Sequence, residues 1–232
     1  LRTTGTAMMA DITNHVGAMP TRNFTSGHQP SEDGGAFKMG GTFIRELNSS
    51  RGGQTEHACM PGCLIKCSNV YVDDTGREIV SPMEYETICL LGTNCGLEDP
   101  DDVARMNEIA NDLGVDSIEL GATIAVLMDA GKGGFGDVSF MKEVTSEMMA
   151  GSEIGKFYAS GTARVGEALN FKRVPVIKKQ AISAYDPRLI EVTGISMMVS
   201  AQGADHTVGN NATFQCDDKN IEELVAESLR MQ

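Results

Sequence analysis

Cys59, Cys63 and Cys67, each separated by three residues, are the side chains whose chemistry stands out first. They lie in the run His57-Ala58-Cys59-Met60-Pro61-Gly62-Cys63-Leu64-Ile65-Lys66-Cys67-Ser68-Asn69. Thiolates are soft ligands suited to zinc or to iron–sulfur clusters. Pro61 and Gly62 let so short a loop curl round a cluster, with its amide N–H groups left free to face the cluster sulfurs. A cubane takes four ligands and the loop supplies three, so the fourth is distant or is His57, Cys89, Cys95 or Cys216. Zinc ligands commonly come in pairs with a two-residue gap, so this spacing favours iron–sulfur over a zinc knuckle completed by His57. Inert buried thiols are the third reading.

The chain has 232 residues, enough for one large domain or two small ones. A formal net charge of -13 would be repelled by nucleic acid and by anionic membrane, which argues against both as partners. No apolar run approaches the ~20 residues that a spanning helix needs. The start, Leu1-Arg2-Thr3-Thr4-Gly5, has neither an initiator Met nor the order of a signal peptide. The expectation is a cytoplasmic protein and an excised fragment. In a chain of this kind a tight cysteine cluster reads as a metal site, not as disulfides. The 14 methionines and the absence of Trp point to an adaptable helical core.

The elements that must position the loop are mostly helical. A helix is expected over residues 7–16, ended by Gly17 with Pro20 beyond it. Residues 26–41, with Pro30 and five Gly, read as loop. Val70-Tyr71-Val72 and Glu78-Ile79-Val80 flank the turn residues Asp73-Asp74-Thr75-Gly76 and predict a short hairpin. Asp99 caps a helix with Pro100 in its first position, and Val103, Met106, Ala110 and Leu113 share one face before Gly114. Asp116 and Glu119 resemble a capping box for an apolar helix over residues 118–130, stopped by Gly131. Asp137 begins another helix running to Met149, and a last one covers residues 220–231. The expected fold is mainly α: multihelical, with irregular Gly-rich loops and at most a short β-hairpin.

Several stretches, in order along the whole chain, resemble the aldehyde ferredoxin oxidoreductase family. They are Thr4-Gly5-Thr6 with Pro20-Thr21-Arg22-Asn23-Phe24; Pro82-Met83-Glu84-Tyr85-Glu86-Thr87 and Leu91-Gly92-Thr93-Asn94-Cys95-Gly96 after the cysteine loop; the segment from Asn107 to Ser117; Ala184-Tyr185-Asp186-Pro187-Arg188; and Gly203-Ala204-Asp205-His206-Thr207. The resemblance implies a helical middle domain over residues 1–183, carrying the cluster loop and a pterin-contacting motif. Residues 184–232 would begin a second helical domain. It also implies a larger enzyme that oxidises a small aldehyde to a carboxylic acid at a tungsten- or molybdenum-bis-pterin centre. Electrons would pass through a [4Fe–4S] cluster to ferredoxin or another electron carrier. The missing N-terminal and C-terminal parts of the same enzyme would be its partners, and the fragment alone is expected to be inactive.

Residue by residue, the resemblance makes Cys59, Cys63 and Cys67 the cluster ligands, with the fourth outside this chain. Cys216 comes too early to be that ligand and reads as a buried thiol. Asn111, Val115 and Asp116 match the pterin motif, and Asp116 also reads as a helix cap. Glu84 or Glu86, Tyr185 and His206 match positions beside the metal: a glutamate as acid or base, and Tyr185 and His206 as hydrogen-bond donors to a carbonyl. Their other readings are a satisfied core histidine and a packed tyrosine ring. The sequence departs from the pattern twice. Three residues, not two, separate the first cysteine pair, and Asn111 stands where Asp is usual. No Glu-x-x-His pair is present, so no iron shared between subunits is expected. Without the later landmarks, a stand-alone iron–sulfur electron-transfer module or a zinc-stabilised interaction domain would serve as well.

Overall fold

A computed structural model of the chain describes residues 2–30 and 36–208, together with residues 222, 223, 225 and 226. Cys216 and most of the expected last helix lie outside the described residues. The chain starts with a short 3-10 turn, Gly5–Ala7, that runs into α1, Met8–Val16. Gly17 ends α1 in the left-handed conformation, at φ 84. After α2, Gly41–Ser50, come three antiparallel strands in the order β1 (Gln54–His57), β2 (Ser68–Val72) and β3 (Glu78–Val80). The hairpin expected around residues 73–76 is β2–β3, and β1 extends it by one strand. The cysteine loop is thus the connection between β1 and β2.

This small sheet is anchored to the helices by one polar cluster. Arg51, at the end of α2, donates two hydrogen bonds to Asp101 at 2.6 and 3.1 Å, and the Tyr71 hydroxyl donates to the same carboxylate at 2.7 Å. Asp101 lies in the first turn of α4, Pro100–Leu113, where Asp99 accepts from the Asp101 amide and Gly114 ends the helix at φ 67. Between sheet and α4 runs a compact helical segment. α3, Tyr85–Thr87, continues into a π turn, Ile88–Gly92, and a 3-10 turn, Thr93–Cys95.

α5, Ser117–Asp129, is the central helix. Asp116 caps it by accepting from the Ile118 and Glu119 amides, and every residue from Leu120 to Met128 is buried. It packs against the π turn on one side and against α8, Thr162–Ala168, on the other. Gly121 makes the first contact possible, because a Cβ there would fall 2.4 Å from the Leu90 carbonyl. Each fully buried aliphatic side chain in this layer contributes about 1.5–3 kcal/mol. α6, Val138–Ala150, starts at the Asp137 cap, and α7, Glu153–Tyr158, follows it. A two-stranded ribbon, β4 (Val176–Ile177) with β5 (Gln180–Ala181), and α9, Glu191–Val199, complete the described chain. The fold is mainly α with short antiparallel hairpins.

Candidate functional site

The cysteine loop turns on backbone that only some residues tolerate. Gly62 has φ 83 and Lys66 has φ 51, and Glu56, in the bulge at the end of β1, has φ 57. Cys59 is exposed, and Cys63 and Cys67 are half-buried. Among the described residues, no three His, Cys, Asp or Glu side chains converge closely enough to hold a single metal ion. The 3-10 turn before α1 packs under the end of the loop, where a Cβ on Gly5 would meet the Cys67 carbonyl at 2.5 Å. Burial pushes the Cys67 thiol up, and the charge of Glu84 and the thiols of Cys59 and Cys63 add to the shift. Gly5 packs on Cys67 and the next residue, Thr6, bonds Glu84, so one turn connects the end of the loop with Glu84.

Glu84 also faces a cavity of about 390 Å³. The N-terminus of α3, the N-terminus of α5 and two later segments wall it, bringing Glu84, Glu86, Asp116, Tyr185 and His206 together. Spacing alone could not separate the two glutamates, and the structure gives them different surroundings. Glu84 precedes α3 and accepts a short hydrogen bond from the Thr6 hydroxyl, which itself accepts from the Tyr85 amide at 2.9 Å. Burial pushes Glu84 up and the Thr6 bond opposes it.

Glu86 points deeper. Its Oε2 accepts from the Ala184 amide at 2.8 Å, while its Oε1 is buried with no hydrogen-bond partner. Burial pushes its pKa up to about 8, against the Ala184 hydrogen bond and with the help of the Asp116 charge. Cys89, one turn on, is fully buried and its thiol is pushed well up by that burial. It is an inert thiol here, and so is buried Cys95, whose Sγ donates to the carbonyls of Leu90 and Gly121.

Tyr185 is 6 % exposed, and its ring packs on that of Tyr85 with centroids 5.2 Å apart. The Tyr85 hydroxyl donates to the Ala184 carbonyl, and the Asp186 amide donates to the Ala18 carbonyl at 3.1 Å, so residues 184–186 are bolted to the body of the fold. His206 sits at the rim with 49 % of its side chain exposed and Nδ1 3.7 Å from Asp205. It is not a buried core histidine.

The pterin-motif residues divide. Asp116 caps α5 and also lines two cavities, the one just described and a second of about 200 Å³ that it shares with Val115, Glu119 and Tyr158. Asn111 is exposed in the last turn of α4 and lines neither. Sequence reasoning assigned no role to Thr6, Tyr85 or Ser117, all of which line the first cavity. Thr6 lies in the Thr4-Gly5-Thr6 stretch, but nothing in its type marks it as the partner of Glu84.

Comparison with known proteins gives the chain a family. A family model described as aldehyde ferredoxin oxidoreductase, domains 2 and 3, matches residues 1–229. The chain belongs to the aldehyde ferredoxin oxidoreductase family. It is similar to the tungsten-containing aldehyde ferredoxin oxidoreductase of Pyrococcus horikoshii, 29% identical over 220 residues, covering 87% of this chain and 34% of the relative. The enzyme of the same description from Thermococcus kodakarensis is 27% identical over 221 residues, with the same shares covered. A third relative, from Pyrococcus furiosus, is an aliphatic sulfonate oxidoreductase, WOR-like subunit, 25% identical over 170 residues, covering 63% of this chain and 27% of its own length. The chain spans about a third of the length of the first two relatives. No helix among the described residues is long and apolar enough to cross a membrane.

Proposed function

We propose that this chain supplies the cluster loop and one wall of the active site of an enzyme that oxidises aldehydes to carboxylic acids. The reaction would run at a tungsten- or molybdenum-bis-pterin centre, with electrons leaving through a [4Fe–4S] cluster to ferredoxin or another carrier. The observation that carries this reading is the cavity that gathers Glu84, Glu86, Asp116, Tyr185 and His206 beside the cysteine loop. Residues 1–183 act as the middle domain and residues 184–232 as the beginning of the next. The rest of the enzyme and a small aldehyde complete the site, in the cytoplasm.

The residues present fit the groups that this reading needs. Three soft thiols on one loop suit a cluster whose ligands stand on different irons, with a fourth from outside the chain. The Asp116 carboxylate, fronting two cavities with Val115 beside it, can accept from the N–H edge of a flat heterocycle, and Asn111 can donate and accept at the motif's start. When bound, the metal–pterin group supplies acceptance of two electrons.

Turning an aldehyde and water into a carboxylate releases two electrons and three protons, so the wall must move protons. Glu86, poised with a pKa of about 8 and one oxygen without a partner, can take a proton and release it again near neutral pH. His206 and Tyr185 face the same space and donate to the carbonyl oxygen as charge develops on it. His206, half exposed at the rim, also hands protons to solvent. Glu84 lines this cavity and bonds Thr6, the neighbour of the Gly5 that packs on Cys67.

The test is steady-state oxidation of an aldehyde by the full-length, metal-loaded enzyme with a viologen dye. Glu86→Gln should lower kcat by roughly 10²-fold or more with iron and tungsten content unchanged. An equally active Glu86→Gln enzyme would remove the acid–base role from this residue.

A further inference from the structure

α3 begins without a cap of its own. Glu84 stands before it in extended backbone, at φ -100 and ψ 164, and its carbonyl accepts from the Ile88 amide at 2.9 Å, but its side chain bonds none of the helix amides. The first of those amides, on Tyr85, is taken up instead by the Thr6 hydroxyl, 79 positions earlier, at 2.9 Å. With a lone pair committed to that N–H, the hydroxyl turns its one proton to the Glu84 carboxylate and donates to it. Thr6 is β-branched, so its side chain has few rotamers open to it. Its backbone is held from both sides by approaches that only glycine allows. A Cβ on Gly5 would meet the Cys67 carbonyl at 2.5 Å, and a Cβ on Gly41, at the start of α2, would meet the Met8 amide nitrogen at 2.5 Å. The 3-10 turn Gly5–Ala7 is thus wedged between the cysteine loop and α2, and Thr6 lines the cavity with Glu84, Tyr185 and His206.

We propose that Thr6 is a positioning residue for the oxidation, whose oriented hydroxyl locks the Glu84 carboxylate in the cavity wall as an acceptor. The inference rests on the reading of this cavity as the aldehyde-oxidising site. A glutamate side chain has several staggered rotamers, and one tied to an oriented donor keeps a single placement, so it need not reorganise as charge moves in the site. Burial opposes the charge of Glu84, and the Thr6 bond is what favours it. Because the same hydroxyl oxygen accepts from Tyr85, one side chain sets both this carboxylate and the first residue of the helix that carries Glu86.

The experiment is steady-state oxidation of an aldehyde by the full-length, cofactor-loaded enzyme with a viologen dye, with iron and tungsten analysed in every sample. Thr6→Val, which keeps the shape and deletes the hydroxyl, should lower kcat by roughly 10-fold with KM changed far less, since a hydrogen bond to a charged group is lost. Thr6→Ser, which keeps the hydroxyl, should recover most of that loss. In a Glu84→Ala background, which lacks the acceptor, Thr6→Val should add little, because the two residues act as one unit. Thr6→Ala gives the same comparisons if the Val variant fails to fold. Wild-type kcat in a fully loaded Thr6→Val enzyme would overturn the proposal. So would losses that multiply in the double variant, a Thr6→Ser enzyme as slow as Thr6→Val, or a loss of rate that only follows lost metal. A wild-type enzyme that oxidises no aldehyde would instead overturn the reading of the site, and this inference with it.

Discussion

The carboxylate of Glu86 accepts a hydrogen bond from the backbone amide of Ala184 at 2.8 Å, across 98 positions of the chain. That single bond joins α3 to the segment that brings Tyr185 to the cavity. The other oxygen of Glu86 is buried without a partner, so the residue is at once a structural tie and a carboxyl whose burial favours its protonated form.

The raised pKa of Glu86 has a thermodynamic sign. Folding favours the protonated acid, so between the ordinary glutamate range and about 8 the unfolded chain holds fewer protons than the folded one, and stability falls as pH rises through that window. Glu86→Gln removes the buried charge. Its Tm should therefore exceed that of the wild type by a margin that grows from pH 5 to pH 9, by roughly 4 °C or more. A difference that stays flat across that range, measured by calorimetry, would mean that the carboxyl is not buried as described.

Asp101 is the opposite case. Burial opposes its charge, but the hydrogen bonds from Arg51 and Tyr71 outweigh that and hold its carboxyl below the usual carboxylate range. Its contribution is full at neutral pH and fades only as acidification passes below that range. Asp101→Asn should cost about 1.5–3 kcal/mol at pH 7 by denaturant unfolding, and less at low pH, because a charge-assisted cluster loses its acceptor.

Gly5 cannot be replaced quietly. At φ 63, and with the Cys67 carbonyl 2.5 Å from any Cβ, Gly5→Ala should destabilise by roughly 1–3 kcal/mol and shift the last cysteine. Lower iron content than wild type in the full-length enzyme would report the shift, whereas unchanged Tm and iron would contradict the packing described.

Cys63→Ser tests the loop itself. In the full-length enzyme, prepared without oxygen, it should lose the broad visible absorbance that dithionite bleaches. Zinc at about one per chain in the native protein, in place of iron, would rule out the cluster.

What the sequence made legible was mainly punctuation. Asp99-Pro100, Gly114, Asp116 and Asp137 place the boundaries of α4, α5 and α6 because caps and breakers act within one or two residues of themselves. The π turn over Ile88–Gly92 was not legible, since a short apolar run reads alike as strand or helix. Nor was α2, whose first residue, Gly41, is a poor helix former set against the backbone of Ala7 and Met8. The left-handed turn of Arg22, Asn23 and Phe24 has no glycine to announce it, and it is held by amides donated to the carbonyls of Thr93 and Asn94 from far along the chain. For the site, the residue types were readable but not their orientation. Glu84 and Glu86 are two apart, and only the bonds to Thr6 and Ala184 tell them apart.

Placing the cysteines at the tip of a hairpin has a last consequence. β1 and β2 meet through Gln54 opposite Val70 and His57 opposite Ser68, and everything between His57 and Ser68 lies beyond the ladder. A residue added to such a tip changes neither pairing partner, and the entropic penalty of one more link in a flexible loop is small, about 0.6 kcal/mol even for a full doubling. The extra residue between Cys59 and Cys63 is therefore a change that the scaffold can absorb. The length of the tip can drift while the sheet, and the Arg51–Asp101 clasp behind it, stay as they are.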